Sequence, residues 1–114
     1  ELKAKCQYEI AYAQMNAGQY QAAYASGRAC TGKYKSDGLL IAAKCVAALA
    51  NSCGDSTFNR KCNYIYAAQL AEEAGQTKIA ESYRASGPSS SDCRTDDRIP
   101  IILSCWGVTV YTCR

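Results

Sequence analysis

Histidine is absent from this chain, and with it go the commonest general base near neutral pH and the commonest metal ligand. Ser-His-Asp and Cys-His nucleophilic sites and His-ligated zinc are thereby excluded. Cys-x-x-Cys spacing is missing too, so a zinc knuckle has no local chelating frame. No basic run exceeds the pair Arg60-Lys61 and the net charge is only +3, which argues against nucleic acid as a partner. The longest apolar stretch, residues 39–50, carries Lys44 inside it and falls short of the ~18 residues of a membrane span. The expectation is a protein without cofactor, metal or catalytic centre that acts by contact.

What is abundant is cysteine and tyrosine, eight and nine of them in 114 residues, alongside 48% hydrophobic content. That length fits one domain with a real core for disulfides to staple. An even cysteine count in a chain beginning at Glu1, which reads as a mature form whose leader has been removed, points to a secreted, cell-surface or periplasmic location.

Periodicity predicts a mainly α protein. Leu2, Cys6, Ile10, Ala13 and Ala17 recur at helical intervals, and Tyr20, Ala23, Tyr24, Gly27 and Cys30 resume them beyond a turn at Gly18, giving an αα-hairpin. Residues 31–38 read as a polar loop in which Ser36 or Asp37 caps the next helix, at 39–51. That helix is apolar almost all round and should lie at the centre of the core. After a turn at 52–56, Asp55 or Ser56 caps a fourth helix carrying Phe58, Cys62, Ile65, Tyr66 and Leu70, which Gly75 ends. A short fifth helix presents Ile79, Ala80 and Tyr83, completing a helical region over 1–85. Residues 86–98 form a flexible loop, and the tail at 99–114, rich in β-branched residues, predicts a small strand pair or hairpin.

Cysteine spacing adds a geometric expectation. Both helices of an antiparallel hairpin rise about 1.5 Å per residue from their bend, and Cys6 and Cys30 each lie twelve residues from Gly18, so a Cys6–Cys30 bridge is predicted. Cys45 and Cys62 flank the Cys53-Gly54 turn at eight and nine residues, which predicts Cys45–Cys62. Cys53, Cys93, Cys105 and Cys113 allow three connectivities. The assignment taken is Cys53–Cys93, pinning the loop, with Cys105–Cys113 closing the tail.

The segment Ile10-Ala11-x-Ala13 followed by Gly18-Gln19-Tyr20-Gln21-Ala22-Ala23 resembles a tetratricopeptide or Sel1-like repeat, with Gly18, Tyr20 and Ala23 matching its Gly-x-Tyr-x-x-Ala signature. Over residues 4–85 the second hairpin echoes it through Ala42, Ala43, Gly54 and Ala67, while the family's large aromatic and terminal proline are missing. The resemblance implies a short right-handed superhelix of hairpins, protein–protein contact as its role and no inherited catalytic residues. Cysteine stapling and the β-rich tail depart from the family's pattern.

Asp92, Asp96 and Asp97 interleave with Arg94 and Arg98 without EF-hand spacing and read as a solvated loop. Glu72 and Glu73 are about 100° apart on their helix and are assigned to solvent. The tyrosines at 8, 12, 24, 34, 64 and 66 cannot all face inward, so Tyr12 and Tyr64 become candidate contact residues. Trp106, beside Cys105, is expected to pack on a disulfide. Ile99, Ile101, Leu103, Trp106, Val108 and Val110 mark a strand-forming tail with no larger sheet to join, hence a docking edge. The expected partner is a second copy of the chain, in a filament or surface assembly, or else a foreign protein met by a monomeric secreted effector or toxin.

Overall fold

The structure is a computed structural model and describes residues 2–89 and 100–111, apart from the side chains of Leu2 and Ala4. The chain is mainly helical with a small antiparallel sheet near its C-terminus. Five α-helices run in order: α1 (Leu2–Asn16), α2 (Tyr20–Arg28), α3 (Lys35–Ala48), α4 (Thr57–Glu73) and α5 (Thr77–Ser86). The strands β1 (Pro100–Leu103) and β2 (Val108–Tyr111) pair with Ile101 opposite Val110 and Leu103 opposite Val108. Each helix packs on its neighbour in sequence. The described residues extend over 49 × 24 × 19 Å.

Two of the turns are chemically identical. At Ala17-Gly18-Gln19 the Gly18 amide donates to the Met15 carbonyl and the Gln19 amide to the Gln14 carbonyl; at Ala74-Gly75-Gln76 the same pattern runs to Glu72 and Ala71. These paired bonds satisfy carbonyls left open at a helix end, and they require a left-handed residue, supplied by Gly18 at φ 80° and Gly75 at φ 79°. Five residues beyond each glycine stands a fully buried alanine, Ala23 in α2 and Ala80 in α5. The turn between α4 and α5 thus shares its geometry with the turn between α1 and α2, whereas α3 and α4 are joined by a 3-10 turn and Gly54 at φ 133°.

Two boundaries and one face differ from expectation. Residues 31–38 are a 3-10 turn, Gly32–Tyr34, followed directly by α3, which begins at Lys35 without a side-chain cap. Gly38 lies inside that helix because α2 and α3 cross backbone to backbone: a Cβ on Gly27 would stand 2.5 Å from the Gly38 carbonyl oxygen. The cap on α4 is Ser56, whose Oγ accepts from the Asn59 amide at 3.1 Å. On α1 the inward face is Ala11, flanked by half-buried Tyr8 and Met15, while Cys6, Ile10, Ala13 and Ala17 are exposed. Apolar residues are spread around α1, so spacing alone did not single out the face where a small alanine lets α2 approach. Elsewhere the predicted stripes of α2, α4 and α5 face inward, and α3 is buried with Leu39, Ile41, Cys45 and Val46 in the core.

Candidate interaction surfaces

The hairpin folds back over α2 and α4, and one polar side chain organises that junction. Asn63, only 1% exposed, lies on the stripe of α4 that also carries Tyr66, Ala67 and Leu70. Its Nδ2 donates to the carbonyls of Ala50 at 3.1 Å and Cys53 at 2.8 Å, and its Oδ1 accepts from Trp106 Nε1 at 3.1 Å. Leaving such groups unpaired in the interior is costly, so this network fixes the 50–53 turn and the hairpin to one residue. Trp106 also packs on the Tyr24 ring, centroids 4.5 Å apart. Beside it, Tyr24 Oη accepts from Arg28 at 3.1 Å and shares a 2.6 Å hydrogen bond with Tyr66 Oη. Burial and that bond push the Tyr66 hydroxyl well above the ordinary tyrosine range.

These contacts relocate most of the tail residues expected to meet a partner. Ile101, Leu103, Trp106 and Val110 are buried in the molecule's own core, with Val108 half-buried against it. Alternation gives the reason: a two-stranded ribbon that covers helices turns every second side chain inward. The outward face instead shows Ile102, 73% exposed, and Tyr111, 54% exposed. Ile99 lies outside the described residues. Trp106, expected to pack on a disulfide, packs on the Tyr24 ring and bonds to Asn63.

A second exposed surface lies on α1. Tyr12 and Ile10 are 47% and 49% exposed. A shallow groove runs past Tyr8, Glu9, Tyr12 and Asn16. Tyr8 stacks on Tyr34 at 5.4 Å, and Lys33 Nζ stands 5.4 Å from the Tyr34 ring centroid. Burial, and next the Asp37 carboxylate, raise the Tyr8 hydroxyl above its usual value. Tyr64 is half-buried and faces Tyr83 at 6.4 Å, so of the two tyrosines singled out from sequence only Tyr12 is strongly exposed.

Cys6 lies on the exposed side of α1, whereas Cys30 is buried with its thiol donating to the Ser26 carbonyl at 3.5 Å. Cys45 and Cys62 are fully buried on facing helices α3 and α4, and desolvation pushes the Cys45 thiol up to about 11. Cys53 and Cys105 line the same cavity; Cys93 and Cys113 lie outside the described residues, as do Asp92, Asp96 and Asp97. Among the described residues no group of three or more acidic or cysteine side chains is placed to hold a metal ion, and no helix is long and apolar enough to cross a membrane. Sequence reasoning missed Asn63; its signal was a polar residue three, four and seven places before Tyr66, Ala67 and Leu70.

No protein-family model, curated protein or solved structure matches this chain.

Proposed function

We propose that this protein is a non-enzymatic extracellular structural subunit, a helical-repeat stack related in design to tetratricopeptide hairpins, that assembles with copies of itself. The observation that carries the reading is the exposure of large apolar side chains on two separate elements, Ile10 and Tyr12 on α1 and Ile102 and Tyr111 on the hairpin. Two unlike patches on one chain support a heterologous contact, in which one surface of a copy meets the other surface of the next, and such contacts propagate into rings or filaments. Among the described residues the sheet has only two strands, and an edge strand is a template for added strands. Disulfides suit a subunit that must endure outside a cell.

Sedimentation velocity of the unreduced protein across a wide concentration range, with electron microscopy of the same samples, tests this. The expected result is growth of large species with concentration, and Ile102→Asp or Ile10→Asp shifting them to monomer while helical circular dichroism is unchanged. Burying an isoleucine is worth about 1.5–3 kcal/mol, so either variant should weaken association by roughly 10-fold or more. A monomer at every concentration removes the reading and favours a secreted binding module that docks a foreign protein.

A further inference from the structure

We propose that Cys53 and Cys105 are a disulfide pair that clasps the β-hairpin to the helical body, closed by exchange with a low-molecular-weight disulfide. Cys53 follows the 3-10 turn Ala50–Ser52 and precedes α4; Cys105 sits in the turn between β1 and β2. Both segments are held by the same side chain, since Asn63 binds the Cys53 carbonyl and receives the indole N–H of Trp106, the residue next to Cys105. Both cysteines line one cavity of about 90 Å³ between α4 and the hairpin, so their side chains face the same small space, the first requirement for a bridge.

Exposure sets the order of events. Cys53 is 8% exposed and Cys105 is half-buried, so an external disulfide reaches Cys105 first. Burial first, and next the neighbouring Cys105, push the Cys53 thiol up to about 11, which keeps it protonated while the first exchange occurs. The Cys105 thiolate attacks one sulfur of RS–SR; that S–S bond breaks, RS⁻ leaves and a Cys105–SR mixed disulfide forms. Cys53 then gives its proton to solvent and its sulfur attacks the Cys105 sulfur, expelling the second RS⁻. Two cysteines are oxidised and one external disulfide is reduced to two thiols. The sequence-based pairing of Cys53 with Cys93 and Cys105 with Cys113 would instead tie each of two cysteines that line one cavity to a different part of the chain.

Peptide mapping of the full chain after incubation with oxidised glutathione, acid quenching and alkylation tests the pairing without any substitution. Trypsin with chymotrypsin separates Cys45 from Cys53 at Leu49 and Cys105 from Cys113 at Trp106. The expected product is a linked pair of peptides carrying Cys53 and Cys105 that reduction dissolves. Cys53 joined to another cysteine, Cys105 joined to Cys113, or both recovered alkylated overturns it. Hydrogen exchange on the oxidised Cys105→Ser variant checks the clasp itself. Amides of residues 101–110 should exchange about tenfold faster than in the oxidised parent with α2 and α3 unchanged, and equal rates would show that the bond clasps nothing.

Discussion

Asn63 occupies a helix position that its neighbours would assign to an apolar side chain, and its amide meets three separate parts of the chain there. Truncation to alanine strands the Cys53 carbonyl and the Trp106 indole in the interior and leaves the Ala50 carbonyl only its 3.5 Å bond from the Cys53 amide, each lost partner costing about 1–3 kcal/mol. Asn63→Ala should therefore lower stability by about 3 kcal/mol or more, read from the urea midpoint. A loss no larger than that of an exposed asparagine would mean that water replaces these bonds. The residue was visible in the sequence only as an anomaly of spacing. Nothing local could show that its partner would be a tryptophan 43 positions later, because the pairing arises from how the hairpin folds back.

Between elements, α2 and α3 approach backbone to backbone at Gly27 and Gly38. A methyl on Gly27 has backbone 2.5 Å away and no flexible side chain to displace, so Gly27→Ala forces the helices apart even though alanine favours a helix. The expected cost is about 1–3 kcal/mol, typical of overpacking, measured by thermal or urea unfolding. A gain in stability would mean that the crossing is looser. Helix existence was legible from periodicity throughout, and Ser56 was among the caps named for α4. Residues 31–38 misled because two glycines and several polar residues read as a loop; Gly38 serves contact between helices, which a single-element pattern does not encode. In α1 the plentiful alanines blur which face packs, and Ile10 and Cys6, on the predicted inward stripe, are both exposed. The tail's strands were readable from β-branched residues, but which of their faces turns outward depended on the presence of α2 and α4 beneath.

Across the whole molecule, buried protonated groups set the response to alkali. Burial raises the thiols of Cys45 and Cys53 to about 11, and Cys30, Tyr66 and Tyr83 shift upward chiefly from the same cause. Such a group holds its proton longer when folded than when unfolded, so ionisation favours the unfolded chain. The stability concerned is fully present below about pH 9 and is lost as pH climbs toward about 11. For the reduced protein the urea midpoint should fall between about pH 8 and about pH 11. A flat profile would place these groups in solvent contact.

The bond from Gln21 to the Cys105 carbonyl spans 84 residues and that from Trp106 to Asn63 spans 43, whereas successive helices pack on near neighbours in sequence. Contacts that close short loops form sooner than those that close long ones. The helices can therefore assemble from their local pairs while the hairpin is still free, and the ribbon settles onto them afterwards. The molecule's one tryptophan sits in that ribbon, so its fluorescence reports the late docking separately from the far-ultraviolet dichroism of the helices.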